Sequence, residues 1–460
     1  MGVRKMMQAI DTIALSTPTG HIRKPTNGLR FGYYIDTGEP WRHHPPTQKR
    51  DGIIRSTVTA SVAQIQSGKT TQAMAEVMRF PDAPNGLDRP SSWSAEIMRA
   101  NEGVCEWEGV AEFYGKASIP MHKLHLNPYD PKLGLGIDAQ IAYTLNLCNH
   151  RAPTPLNDDG IMAIGAAITK MNLDPELRKK AGFTLLGELW ANMRAEDAVR
   201  YLRTSFDNAM KSGIEADDDN VHTGINPATF NPFIDEQDFR RAATTVIQRL
   251  SLRLNGDCKG VFGDQSSLAD ILASPANVMY LGELDPKVIS LVQPLIWAIR
   301  DANAADRNSP YRVDIEEHDE NYRLMEDSPE YTNRLHWRVK TARAYSTYLH
   351  IIIHLLDEYM SVGDAGSAHR NKANKILKHI DQWLIGQQDI NSLEFIKNYF
   401  DLPRSTVNRL PGLKRGQFLL IRGTDAPAFV QFLPTEAEKR VSRTNVANDN
   451  QTSGITHITS

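Results

Sequence analysis

Residues 61–71, Ser-Val-Ala-Gln-Ile-Gln-Ser-Gly-Lys-Thr-Thr, restrict the fold more than any other stretch of this chain. Thr57 to Ile65 is rich in β-branched and small residues, which predicts a buried strand. After Ser67-Gly68, the run KTTQAMAEVMRF places apolar side chains at spacings of three and four, which predicts a helix. A strand, a tight turn and a helix in that order converge backbone N–H groups on one point. Together with the helix dipole they make a seat for phosphate oxygens. A lysine at the helix start then neutralises the β- and γ-phosphates, and the next hydroxyl ligates Mg²⁺.

Against the pattern G-x-x-x-x-G-K-[ST], the chain offers Ala63, Gln64, Ile65, Gln66, Ser67, Gly68, Lys69 and Thr70, with Thr71 adding a hydroxyl. Position 63 lacks its glycine, and Gln66 stands where many such loops carry another. Alanine fits poorly wherever φ must be positive, and glutamine brings bulk toward the phosphate path. The plain alternative is an ordinary helix start with Ser67 as N-cap and Lys69 facing solvent. The loop alone does not decide.

Phosphoryl transfer needs a carboxylate at a neighbouring strand end to hold the metal shell, and a base to polarise water. Ile351 to Leu356, followed by Asp357-Glu358, has that form: an apolar strand ending in two adjacent carboxylates. A rival reading pairs His350 with His354 as metal ligands on one helical face. The β-branched Ile351-Ile352-Ile353 between them is poor in helices and argues for a strand. One β-α unit later, Trp383-Leu-Ile-Gly-Gln387-Gln388 is a strand whose tip carries amides able to orient water. His122 and His125 read as strand-surface residues, and Glu215 to Asn220 as a solvated acidic loop.

The 460 residues allow more than one core. Residues 1–56 read as an irregular lead-in, and 57–135 with 277–435 as an α/β body. Residues 136–276 read as a helical insertion and 436–460 as a disordered tail. The polar stretch 301–333 reads as a loop, and Gln417 to Ile421 with Ala428 to Phe432 as two late strands. Strands alternating with helices predict a mostly parallel sheet with helices spliced into it. A net charge of −3 gives no chain-wide basic field for nucleic acid. Three scattered cysteines fit a reducing compartment and argue against a cysteine-built zinc site. No apolar run reaches the roughly 20 residues a membrane-spanning helix needs, so the expected location is the cytoplasm.

In this order the parts resemble the HerA–FtsK group of P-loop motors, and more narrowly the cytoplasmic ATPases of type IV secretion and conjugation. Leu126-Asn127-Pro128-Tyr129-Asp130 matches that group's I-N-P-type turn and Val278-Met-Tyr-Leu-Gly282 its middle strand. Asp357-Glu358 matches the D-E pair, and Gly386-Gln387-Gln388 the strand ending T-Q, with Gln387 in place of threonine. Gly416 to Ile421 resembles the closing G-x-F-L strand. The likeness spans roughly residues 40–435, without the large N-terminal domain that many secretion ATPases carry.

The resemblance implies an α/β, RecA-like P-loop NTPase fold with a mostly parallel sheet and an inserted all-helical domain. It implies ATP and Mg²⁺ as cofactors, and a homo-hexamer with ATP between subunits. Ser67, Gly68, Lys69, Thr70 and Thr71 would bind nucleotide, Thr70 and Asp357 would hold Mg²⁺, Glu358 would activate water, and Gln388 would sense hydrolysis. Arg370, or Arg415 second, would complete a neighbour's site; the plain alternative for each is a surface arginine. The implied function is a motor moving DNA or protein through a transfer system, docked on membrane-embedded components at the inner face. Two other readings stand beside it: a HerA-like DNA translocase of DNA processing or defence, and a weakly catalytic nucleotide-binding scaffold, which the altered loop motivates.

Overall fold

The structure is a computed structural model that describes residues 24–97, 105–120, 124–150, 152–211, 235–280 and 285–442, apart from 305, 307, 310, 311, 320, 328 and 346. Glu215–Asn220, His122, Gly282 and the tail beyond 442 therefore lie outside the described residues.

Eleven strands form one sheet: β1 (Leu29–Tyr34), β2 (Pro40–His43), β3 (Val58–Val62), β4 (Trp93–Ile97), β5 (Ile119–Pro120), β6 (Ala276–Tyr280), β7 (Ile315–Asp319), β8 (Tyr348–Ile353), β9 (Gln382–Ile385), β10 (Gln417–Arg422) and β11 (Ala428–Phe432). Their order across the sheet is β2-β1-β11-β10-β9-β3-β8-β7-β4-β6-β5. The run from β9 through β3, β8, β7 and β4 to β6 is parallel. From β9 outward through β10, β11, β1 and β2 every pairing is antiparallel. The sheet is thus mostly parallel where β3 sits at its middle.

β3 and β8 are buried at every position, as expected of parallel strands covered on both faces. β7 is buried throughout as well, although its sequence is Ile-Glu-Glu-His-Asp. This corrects the reading of 301–333 as a loop: the stretch holds β7, the helix Tyr322–Asp327 and the start of the helix Pro329–Tyr345. The alternation of a strand explains how so much charge is tolerated. On one face, Glu316 accepts from Arg338 Nε at 2.6 Å, and His318 Nδ1 lies 3.0 Å from Glu96 of β4. On the other, Glu317 turns toward His350 of β8. Buried charges are kept where partners meet them.

Residues 29–50 also differ from the irregular lead-in expected of them. β1 and β2 pair as a hairpin, β1 adds to β11, and the helix Pro45–Arg50 follows. The prolines and glycines of this irregular-looking stretch act as punctuation: Gly38 N closes the hairpin turn on Tyr34 O at 2.7 Å, and Pro45 opens the helix. Phe31, Tyr34 and Trp41 anchor the hairpin in the core. Among the described residues around His122 and His125, Ile119–Pro120 joins the sheet and Leu126 forms an isolated bridge to Phe262.

Two compact units divide the chain: the described parts of Met1–Ile119, Pro275–Glu283 and Val313–Ser460 form one, and those of Pro120–Ser274 and Leu284–Arg312 the other. The second unit is helical, with Ile137–Asn149, Asp158–Leu173, Phe183–Asn192, Ala195–Lys211, Glu236–Asn255 and Pro286–Asn303 as its main elements. Asp158–Leu173 is its centre, capped by Asn157 Oδ1 accepting from Gly160 N and buried along Ala163, Ile164, Ala167, Ile168 and Met171. Buried polar tips find partners: Trp190 Nε1 donates to Ala163 O and Tyr143 OH to Leu291 O, both at 2.8 Å. No helix among the described residues is long and apolar enough to cross a membrane.

Candidate nucleotide site

The parallel register brings three chain segments to one edge of the sheet. Val62 lies beside Ile353 of β8 and Ile385 of β9, so residues 63, 354 and 386 leave their strands side by side. Ala63 N donates to Ile353 O at 3.2 Å, Gly386 N to Val62 O at 2.9 Å, and Gln64 N to Gln387 O at 3.1 Å. The loop after β3 is therefore pinned to both neighbours before the helix Lys69–Arg79 starts.

Gly68, not Ser67, is the helix N-cap, with φ 96° in the left-handed region and no side-chain cap. Glycine is required there twice over. The conformation disfavours any other residue, and a Cβ would stand 3.2 Å from Gly416 N and 3.5 Å from Arg415 Cγ. Gly416 N donates to Ser67 O at 2.8 Å, tying the loop to the turn before β10. The Ser67 hydroxyl is buried and makes no hydrogen bond. A helix start whose cap gives no side-chain oxygen leaves its first N–H groups to be met by another acceptor.

The two departures from the loop pattern have different consequences. Ala63 is buried and is not among the residues with positive φ, so it carries no backbone strain. Its methyl fills space beside β9: a Cβ on Gly386 would lie 2.7 Å from Ala63 Cβ. The glycine missing from the loop has its counterpart on the neighbouring strand. Gln66 is the strained position, with φ 68°, and its side chain is exposed. A left-handed non-glycine residue costs roughly 1–2 kcal/mol, less the extra chain entropy of glycine. Gln66→Gly is accordingly expected to stabilise the fold by about 1 kcal/mol in denaturant unfolding. An unchanged midpoint would mean that contacts of Gln66 offset the strain.

Lys69 is 5% exposed, and its Nζ donates to His354 Nδ1 at 2.8 Å. His354 follows β8 directly and stands level with Ala63, so the strand-tip position facing the lysine belongs to a histidine. Asp357 and Glu358 lie further on. β8 ends at Ile353, and both carboxylates sit in the first turn of the helix Leu356–Ser361 rather than at a strand tip. Asp357 is exposed; Glu358 is half-buried, with Oε2 accepting from Leu355 N at 3.2 Å. Burial raises the Glu358 pKa above the usual carboxylate range against the lowering effects of that N–H, of His354 and of Tyr322, and Asp357 adds to the rise. A carboxylate so tuned is better suited to take a proton.

Gln388 is buried, its Nε2 donating to Val62 O at 3.1 Å while its Oε1 makes no hydrogen bond. Thr71 is buried and Thr70 half-buried in the first helical turn. Arg415 is exposed and lies against Gly68 of its own chain. Arg370 Nε donates to Met360 O at 2.7 Å, in the helix that carries Asp357 and Glu358. His350 and His354 part company: His350 contacts Ser61 Oγ and His354 contacts Lys69. The sequence offers His354 only as a metal partner of His350 and Gly386 only as part of a strand tip, not as the contacts of Lys69 and Ala63. The only signal for either was its place directly after a strand, and it emerges only once the strands are laid in register.

No family model matches the chain, and no curated protein sequence matches it. Among solved structures, VirB4 of Thermoanaerobacter pseudethanolicus matches at TM-score 0.57 and 14% identity, covering 92% of this chain and 100% of that one. Plasmid coupling protein TrwB in complex with the non-hydrolysable ATP analogue ADPNP matches at TM-score 0.47 and 11% identity, over 90% of this chain and 92% of that one. The chain shares the fold of VirB4, built on a mostly parallel sheet.

Proposed function

We propose that the chain is an ATP-binding and ATP-hydrolysing motor of a type IV secretion or conjugation-like transfer system, moving DNA or protein. One observation carries the reading: Lys69 and the Gly68 turn open a helix directly after the central strand β3, beside the tips of β8 and β9. That is the geometry a triphosphate needs. The order of motifs and the VirB4-like fold over 92% of the chain support it.

In this reading Ser67 to Thr71 cradle the phosphates, Thr70 and Asp357 hold Mg²⁺, and Glu358 takes the proton of the attacking water. Mg²⁺ neutralises charge on the transferring phosphoryl group. Gln388 senses hydrolysis through its buried amide. Residues 57–135 and 277–435 make the ATPase core, and 136–276 the insertion. Six copies form a ring docked on membrane-embedded partners at the cytoplasmic face, with Arg370 reaching a neighbour's site. Arg415, packed against Gly68 of the same chain, is better placed to act on its own.

The test is Mg-ATP binding and phosphate release by the purified chain, with molar mass measured with and without nucleotide. Saturable binding, turnover and a ring-sized mass are expected. No binding at millimolar ATP overturns the reading. Turnover raised by DNA and indifferent to membrane components would favour a HerA-like translocase instead.

A further inference from the structure

The helix that begins at Lys69 carries a second polar group deeper in the sheet. Glu76 meets Glu317 of β7 and His350 of β8, and one ligand-capable atom of each lies within 4.8 Å of the others. All three residues are fully buried. His350 Nδ1 stands 3.2 Å from Glu76 Oε2 and 2.9 Å from Glu317 Oε2. These are ion-pair distances, but the angles there are poor for a hydrogen bond at this nitrogen and at both oxygens of Glu317. A nitrogen and two carboxylates converging at poor hydrogen-bond angles form a set of ligand atoms that a cation between them can use.

The outer faces of these groups are held in place. Ser61 Oγ lies 2.8 Å from His350 Nε2. Tyr348 OH donates to Glu76 Oε2 at 2.6 Å, His43 Nε2 lies 2.6 Å from Glu76 Oε1, and the Gln72 amide donates to that same oxygen. Metal-binding histidines and carboxylates are oriented by outer hydrogen bonds of this kind. Charge balance points the same way. Two carboxylates in a core without solvent are costly unless countered, and a divalent cation beside a neutral imidazole brings the sum to zero.

We propose that Glu76, Glu317 and His350 bind a divalent transition metal of the Zn²⁺ type, for which one imidazole and two carboxylates are suitable ligands. The ion fastens the Lys69–Arg79 helix to β7 and β8. It is separate from the Mg²⁺ of the nucleotide seat and does not depend on it.

The experiment uses the full chain, purified without a histidine tag or chelator, with metal content read by mass spectrometry. About one Zn²⁺ per chain is expected, and refolding with EDTA should lower the unfolding midpoint until Zn²⁺ is restored. Glu317→Gln should lose at least about tenfold in bound metal and unfold at lower temperature, whereas Lys69→Ala should keep its metal. If Glu317→Gln does not fold, X-ray absorption of the wild type reads the site directly, with nitrogen and oxygen ligands including one imidazole expected. A folded wild type that retains no transition metal after refolding in Zn²⁺ overturns the proposal, as does absorption showing no imidazole. So does a Glu317→Gln variant of equal or higher midpoint, because the cluster would then be sharing a proton.

Discussion

Lys69→Ala is expected to reduce ATP turnover at least about 100-fold, because the lysine is a buried cation in the first helical turn, placed to meet charge developing on the phosphoryl oxygens. ATP affinity should fall with it, since the ammonium also meets the ground-state phosphates. Glu358→Gln should behave differently. Removing a general base costs about 10²- to 10⁴-fold in rate, but an uncharged isostere leaves the phosphate seat intact, so binding should survive. The comparison is read by steady-state phosphate release and by nucleotide titration of the same preparations. Two companion variants test which residue after β8 serves the metal. Asp357→Asn should abolish the Mg²⁺ dependence of binding if the carboxylate in the helix reaches the site. If His354→Ala does so and Asp357→Asn does not, the strand-tip histidine has that place. Wild-type turnover unaltered in both Lys69→Ala and Glu358→Gln would remove the motor reading.

The second large effect concerns a residue that touches no phosphate. Gly386→Ala puts a methyl 2.7 Å from Ala63 Cβ, inside contact distance and between two pinned strands. Overpacking of this kind costs roughly 1–3 kcal/mol. Ala63→Gly alone leaves a small void. The double variant moves the methyl from one strand to the other and restores the glycine of the loop pattern. It should recover most of the lost stability, with a coupling of about 1 kcal/mol or more in a double-mutant cycle of denaturant unfolding. Strictly additive effects would sink the idea that the two positions compensate each other.

These two residues also show where a linear reading works and where it stops. The strand, turn and helix around Gly68-Lys69 were legible because phosphate seats are local: the groups that make them are neighbours in sequence. The late hairpin of β10 and β11 was legible for a similar reason. β7 was not, because its Glu316, Glu317 and His318 look like solvent-facing residues until Arg338, Glu96 and His350 supply partners from far along the chain. The place of Asp357-Glu358 was misjudged by a few residues. The apolar run Ile351 to Leu356 continues past the strand into a helix, and hydrophobicity does not mark where β8 stops. The alanine at 63 looked like a defect because its compensating glycine is more than three hundred residues away in sequence.

The hydrogen bonds around the loop have a mechanical consequence. Ala63 N is held by β8, Gln64 N by the exit of β9, and Ser67 O by Gly416 N, whose own carbonyl accepts from Phe432 N at 2.7 Å. A loop clamped at three points is a bracket rather than a hinge. Force applied at the phosphate seat is not absorbed by bending there. One route out runs through Gly416 and Phe432 into the antiparallel strands β11 and β1, toward the sheet edge farthest from β5.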